Sequence, residues 1–111
     1  MTAMLRSRHE LRNLMTHYTA ASFAEALGTH AADWQWDAGC IKTELVFKDF
    51  KTAFAFMSKV ADMAEKLGHH PDWQNSYNRI GISLRTHDQN AVTTLDVALG
   101  KHISILYRNY K

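Results

Sequence analysis

The sequence predicts an α+β fold in which helices pack on one face of an antiparallel sheet of about four strands. Two segments alternate apolar and polar residues, at Cys40–Lys48 and Asn78–Arg85, and a helical pattern follows each of them. Strands with one apolar face need a cover, and helices with one apolar side provide it. The 111 residues, 46% apolar and 22% charged, form a single domain.

The opening segment, from about Leu5 to Leu27, has helical spacing, and Gly28 is a suitable end. Residues 1–20 carry three arginines against one glutamate, Glu10, whereas the remaining residues hold ten charges of each sign. A transit-like peptide and a first helix both fit this pattern. We favour the helix because Glu10 and the missing cleavage signal are not typical of targeting peptides. Residues 1–20 then form an N-terminal extension to a core at residues 34–106.

A hairpin follows the first helix. Trp34–Asp37 is the first strand, Ala38 and Gly39 close it, and Cys40–Lys48 is the second strand. Period-two alternation indicates that the second strand is half-buried. Its inward residues are expected to be Ile41, Thr43, Leu45 and Phe47.

The strongest helix begins after Asp49, which is a suitable N-cap, and ends at Gly68, with Pro71 preventing continuation. Its apolar residues recur at helical spacing. We expect them to face the core rather than a ligand pocket: Phe50, Ala53, Phe54, Met57, Val60, Ala61, Ala64 and Leu67.

The third strand spans Asn78–Arg85. It either ends near Thr86 and His87 or folds back once around Arg79–Gly81, and the sequence leaves both alternatives open. A last helix begins at the capping-box pattern Thr93-x-x-Asp96. Val92 and Val97 flank this start, and the apolar face consists of Leu95, Leu99, Ile103 and Leu106.

Composition excludes several classes of protein. The single cysteine, Cys40, cannot form an internal disulfide, and we interpret it as a small strand residue rather than a nucleophile. No apolar run is long enough to cross a membrane. A net charge of +2 does not indicate direct nucleic-acid binding. We therefore expect a cytoplasmic protein, with organellar targeting by residues 1–20 as the alternative.

Titratable residues concentrate where the strongest helix ends, in the run Glu65-Lys-Leu-Gly-His69-His70-Pro71-Asp72-Trp73. Glu65 lies in the last helical turn, where a carboxylate opposes the helix dipole at a cost of about 0.3 to 1 kcal/mol. Pro71 forces His70 into an extended conformation, so the two histidines project differently. Histidines held at fixed angles suit proton transfer near neutral pH. We interpret the other histidines, His9, His17, His30 and His102, as without a special role.

The spacing beyond this run resembles a family signature. Glu65 is followed by three residues, His69-His70-Pro71, five residues, Tyr77, nine residues, His87, eight residues and Asp96. This pattern, with Val46–Phe50 before the long helix and Thr86 beside His87, resembles the pterin-4a-carbinolamine dehydratase family. The resemblance covers about Trp34 to Leu106.

The resemblance implies a hydro-lyase that removes water from 4a-hydroxytetrahydrobiopterin to give quinonoid dihydrobiopterin, in tetrahydrobiopterin recycling, without metal or cofactor. It places His69, His70 and His87 around the pterin, with Glu65 orienting a histidine. We expect His69 and His87 to flank the reacting edge and His70 to shape the site. Pro71, Trp73 and Thr86 are expected to contact the substrate.

Two other signature residues are not expected to be catalytic. Asp96 already has a structural role in the capping box. Tyr77 lies ten residues before His87, too far along one unbroken strand to act beside it, so we assign it to the core or to an interface.

Two alternatives from other classes remain. Three histidines and a glutamate could bind zinc, but no His-x-x-x-His or His-Glu-x-x-His pair supports this. The same fold could instead serve as a non-catalytic dimerisation or transcriptional cofactor, or as an assembly factor. The signature histidines favour the enzyme. The resemblance also implies a homodimer or homotetramer that joins sheets edge to edge.

Overall fold

The computed structural model of the chain describes Ser7 and residues 14–111. The elements, in chain order, are β1 (His17–Tyr18), α1 (Phe23–Leu27), β2 (Gln35–Asp37), β3 (Cys40–Val46), α2 (Phe50–Leu67), β4 (Asp72–Ser76), β5 (Arg79–Leu84), β6 (Val92–Thr93) and α3 (Thr94–Tyr107), with 3₁₀ segments at Gly28–Asp33, His87–Gln89 and Arg108–Tyr110. Among the described residues no helix is long and apolar enough to cross a bilayer.

The main sheet has four antiparallel strands in the order β2-β3-β5-β4. A two-residue turn joins β2 to β3, and its residues Ala38 and Gly39 both have positive φ, 51° and 79°. Positive φ at both positions matches the twist of a tight hairpin. The predicted first hairpin is thereby confirmed.

Helices cover one face of this sheet, which confirms the predicted α+β class. The inward side chains of β3 and β5 are buried together with side chains of α2 and α3 in one core. From the sheet the core takes Ile41, Leu45, Ile80, Ile82 and Leu84; from the helices it takes Ala53, Phe56, Val60, Leu99 and Ile103. Polar residues such as Lys42, Glu44 and Ser83 alternate with these on the outer face.

The third predicted strand is confirmed as β5, Arg79–Leu84, which ends just before Thr86 and does not fold back around Arg79–Gly81, whereas the hairpin that precedes it was not predicted. The chain turns at Tyr77 and Asn78, since Ser76 pairs with Arg79, and the preceding Asp72–Ser76 is strand β4 rather than a loop. This strand carries only one apolar side chain, Trp73, so its alternation is weak. Tyr77 is 66% exposed and therefore does not belong to the core.

The long helix α2 has the predicted caps, but its buried face is rotated. Asp49 accepts a hydrogen bond from the Thr52 backbone N–H, and Gly68 closes the helix in the left-handed conformation at φ 61°. Phe56 is fully buried, whereas Phe50 and Phe54, expected inside, are about half exposed and contact each other. Because Phe50 and Phe54 also lie four residues apart, the spacing of apolar residues alone does not determine which face of α2 is buried.

The N-terminal helix ends at Leu27 before Gly28 as predicted, but within the described residues it is much shorter than predicted. Within residues 14–27 only Phe23–Leu27 is helical, and His17–Tyr18 instead pairs with Val92–Thr93 as a short strand. Thr19 and Ser22 hydrogen-bond to each other and to local backbone groups, which competes with helix formation. Residues 5–13 of the predicted helix lie outside the described residues apart from Ser7, and so does most of the alternative, a targeting peptide at residues 1–20.

Candidate active site

The candidate site lies where four elements end or begin: α2 ends, β4 begins, β5 ends and α3 begins. Gly68 ends α2, and the backbone N–H of His69 still donates to the Ala64 carbonyl at 3.0 Å. This capping interaction fixes the first histidine directly after the helix. Pro71 then leads the chain into β4, which begins at Asp72.

His69 is buried and held by Asp96. Its Nε2 lies 2.5 Å from Oδ1 of Asp96, and the two side chains are 6% and 0% exposed. Because a carboxylate only accepts hydrogen bonds, Nε2 of His69 carries the proton and donates. The ring of His69, expected at the reacting edge, is therefore built into the interior.

Asp96 joins three parts of the site through one carboxylate. Besides His69, it accepts hydrogen bonds from the hydroxyl of Thr86 and from the backbone N–H of Thr93, both at 2.8 Å and both on Oδ2. The capping box predicted from the sequence is present. The link to His69 was not predicted, because the sequence separation of 27 residues gave no sign of contact.

Thr86 is fully buried beside this carboxylate. Its hydroxyl donates to Asp96 and accepts from the Thr93 hydroxyl at 2.7 Å. Its backbone pairs with Ala91, which closes the short loop that carries His87. Thr86, expected to contact substrate, has its hydroxyl engaged within the protein and anchors that loop.

His87 stands at the surface of the loop and faces a second carboxylate. Nε2 of His87 lies 2.9 Å from Oδ2 of Asp72, and the two side chains are 66% and 61% exposed. Asp72 was not predicted as a site residue. Its place between Pro71 and Trp73, in the titratable run after α2, was the sequence signal that could have identified it. Its proximity to His87, however, depends on the pairing of β4 with β5.

His70 faces the third carboxylate. Its Nε2 lies 3.5 Å from Oε2 of Glu65, and both side chains are largely exposed. Glu65, in the last turn of α2, thus meets His70. Each of the three signature histidines consequently has its own acidic partner.

The two remaining predicted site residues, Pro71 and Trp73, are neighbours of the histidine pair in the sequence. Trp73 is half-buried against the core and pairs with Ile82 across the strands, and Pro71 is half-buried. In the part of the chain that the structure describes, no three histidine, cysteine or acidic side chains converge as metal ligands do. The acidic groups instead pair with the histidines individually.

A groove of about 720 Å³ lies on the outer face of the sheet beside the Asp72–His87 pair. Asp72 belongs to its lining, together with Gln35, Lys42, Glu44, Gln74 and Ser83. The Lys42 ammonium donates a hydrogen bond to the Asp37 carboxylate. This hydrogen bond raises the pKa of Lys42, so Lys42 stays charged. The groove has the volume of a small-molecule site.

The arrangement can move protons at two positions. His70 and His87 are both accessible, and each ring faces a carboxylate, with that of Asp72 hydrogen-bonded to His87 at 2.9 Å. Since Asp72 follows His70 by two residues, the two Cα atoms are at most about 7 Å apart, which brings both histidines to one small region. Two imidazoles placed in this way suit a reaction with one proton donated and one accepted.

Comparison with known proteins agrees with these features. The sequence pattern of the family described as Pterin 4 alpha carbinolamine dehydratase matches residues 16–106. A protein from Synechococcus sp. (strain WH7803) is 48% identical over 82 residues, covering 74% of this chain and 88% of its own. A protein from Prochlorococcus marinus (strain NATL2A) is 51% identical over 73 residues, 66% of this chain and 77% of its own. Both carry the name "Putative pterin-4-alpha-carbinolamine dehydratase".

A solved structure extends the agreement to the fold. The crystal structure of a "transcriptional coactivator/pterin dehydratase" from Brucella melitensis superposes with a TM-score of 0.74 at 40% sequence identity, covering 82% of this chain and 98% of the other. The family pattern, which matches residues 16–106, spans the sheet, the long helix and all three histidines. The chain therefore belongs to the pterin 4 alpha carbinolamine dehydratase family.

Proposed function

We propose that this protein is a hydro-lyase that dehydrates 4a-hydroxytetrahydrobiopterin to quinonoid dihydrobiopterin by histidine general acid/base catalysis. Family membership supports the pterin substrate. The observation that carries the proposal is the pair of accessible histidines, His70 and His87, each facing a separate carboxylate.

The reaction needs two proton transfers. The hydroxyl on the 4a carbon leaves as water after it gains a proton, and the adjacent ring nitrogen loses its proton as the carbon–nitrogen double bond forms. One histidine donates and the other accepts, so the enzyme's net protonation is unchanged. Assistance of this kind accelerates a reaction by about 10² to 10⁴.

We assign the proton transfers to His70 and His87, and a positioning role to His69. Nε2 of His69 is engaged by buried Asp96, which also holds Thr86 next to His87. This network connects the histidine pair after α2 to the loop that carries His87. His69 thereby fixes the distance between the two accessible rings.

We also propose that the protein self-associates as a homodimer or homotetramer. Strands β2 and β4 are the outer strands of the sheet, so each has one edge without a partner strand in the described chain. Unpaired edges favour association. Phe50 and Phe54 add exposed apolar surface on α2. Analytical ultracentrifugation of the full chain tests this, and a monomer at micromolar concentration would refute it.

The test of the catalytic assignment compares three alanine variants. The dehydration of freshly generated 4a-hydroxytetrahydropterin is followed by ultraviolet absorbance with wild type, His70→Ala, His87→Ala and the control His102→Ala, an exposed histidine on α3. We expect kcat to fall by about 10²-fold or more in His70→Ala and in His87→Ala. The control should retain the wild-type rate. Equal rates for all four proteins would refute the assignment.

A further inference from the structure

We infer that Asp72 is a positioning residue that orients His87 and presents its Nδ1 atom to the substrate. The inference rests on the proposed function, in which His87 transfers a proton. Asp72 is not part of the signature described above. The geometry that supports it is the 2.9 Å contact between Oδ2 of Asp72 and Nε2 of His87.

The backbone of Asp72 is fixed on both sides. Pro71 precedes it and restricts its own φ, and Asp72 is the first residue of β4, paired with Ser83 of β5. The neighbouring strand β5 leads within three residues to His87. The carboxylate and the imidazole therefore approach each other from two adjacent strands of one sheet.

The exposure of the pair indicates a role other than folding. With 61% of Asp72 and 66% of His87 accessible, an ion pair between them contributes little to stability. Asp72 nevertheless belongs to the lining of the outer-face groove. An exposed ring without a partner would rotate among several conformers. The carboxylate selects one of them.

The contact also determines which ring nitrogen is available. A carboxylate accepts hydrogen bonds only, so Nε2 of His87 carries the proton in the neutral ring. Nδ1 is then unprotonated and able to accept a proton from the substrate. After that transfer the ring is cationic, and Asp72 lies opposite its new charge. Removal of the carboxylate should consequently slow the proton transfer without preventing substrate binding.

The test is a double-mutant cycle in kcat between Asp72→Asn and His87→Ala. We expect Asp72→Asn to lower kcat about tenfold or more with little change in KM, as carboxylates that orient catalytic histidines do. Asp72→Glu should recover part of the loss. In the His87→Ala background the same substitution should have no effect, because Asp72 acts through that ring. Asp62→Asn, at an exposed acidic residue of α2 outside the groove, is the control and should match wild type.

An equal loss from Asp72→Asn with and without His87 would overturn the inference, and so would an unchanged kcat in the single variant. A readout independent of activity separates this inference from the proposed function. Long-range ¹H–¹⁵N spectra of the neutral His87 ring should show a single tautomer, protonated at Nε2, in wild type and a mixture in Asp72→Ala. If wild type does not accelerate the reaction, the proposed function fails, and identical spectra for the two proteins would overturn the inference.

Discussion

The buried hydroxyl of Thr86 connects the loop of His87 to Asp96 of α3, which also binds His69. The substitution Thr86→Val removes this hydroxyl with little change of side-chain shape. The hydroxyl donates to the Asp96 carboxylate at 2.8 Å and accepts from Thr93 at 2.7 Å. A hydrogen bond to a charged group contributes about 1.5 to 3 kcal/mol. The Thr93 hydroxyl left without an acceptor adds about 1 kcal/mol. We therefore expect a loss of about 2.5 to 4 kcal/mol in the free energy of unfolding.

Thr86→Ser is the matched control, since it keeps both hydrogen bonds and loses only a methyl group, at a cost of about 1 kcal/mol. Urea unfolding followed by tryptophan fluorescence, at one protein concentration for all variants, measures both losses. The serine variant should be the more stable of the two. If the valine variant is as stable as the serine variant, the buried hydroxyl network does not stabilise the site as described.

Three further predictions concern the fold around the site. The Thr52 hydrogen bond lowers the pKa of Asp49 below its ordinary 3.8, so the cap stabilises the protein fully above about pH 3.8 and this stabilisation is lost as pH falls through the lower folded pKa. Asp49→Ala should therefore be destabilised at pH 6 and the difference from wild type should shrink as pH is lowered below 3.8, and a constant difference in urea midpoint would contradict the cap. Phe56→Ala should cost about 3 to 5 kcal/mol, and a loss under about 1 kcal/mol would show that Phe56 is not in the core. Ala38→Asn should raise the free energy of unfolding by about 0.5 to 1 kcal/mol, because Asn tolerates the φ of 51°, and an unchanged melting temperature would contradict this.

Local sequence signals predicted the elements that frame the site. Asp49 and Gly68 mark the two ends of α2, and Thr93 with Asp96 marks the start of α3, because capping depends on groups within a few residues. The Ala38-Gly39 turn is equally local. These features could be read from the chain without knowing its tertiary contacts.

Features that depend on contacts between distant segments could not be read in this way. The strand β4 gains its conformation from pairing with β5, since its own residues have only one strongly apolar member, Trp73. The choice of Phe56 over Phe54 on α2 is made by what packs against the helix, not by the spacing of the apolar residues.

In the candidate site, too, the sequence pattern was informative and the contacts between distant segments were not predicted. The resemblance identified His69, His70 and His87 and implied that Glu65 orients one of them, but the carboxylates that face His69 and His87 depend on the fold. The Asp96 contact buries His69, and the Asp72 contact orients His87 at the surface. Both contacts join residues at least 15 positions apart in the sequence, where spacing alone gives no information.

The central claim is that His70 and His87 dehydrate a 4a-hydroxytetrahydropterin, and single-turnover kinetics test it most directly. Wild type and the double variant His70→Ala/His87→Ala are mixed at equal concentration with freshly generated substrate, after circular dichroism has shown that both are folded. The account predicts that the wild-type rate rises in proportion to protein concentration and that the double variant matches the buffer rate. A wild-type rate equal to that of buffer, or a double variant as fast as wild type, would contradict it.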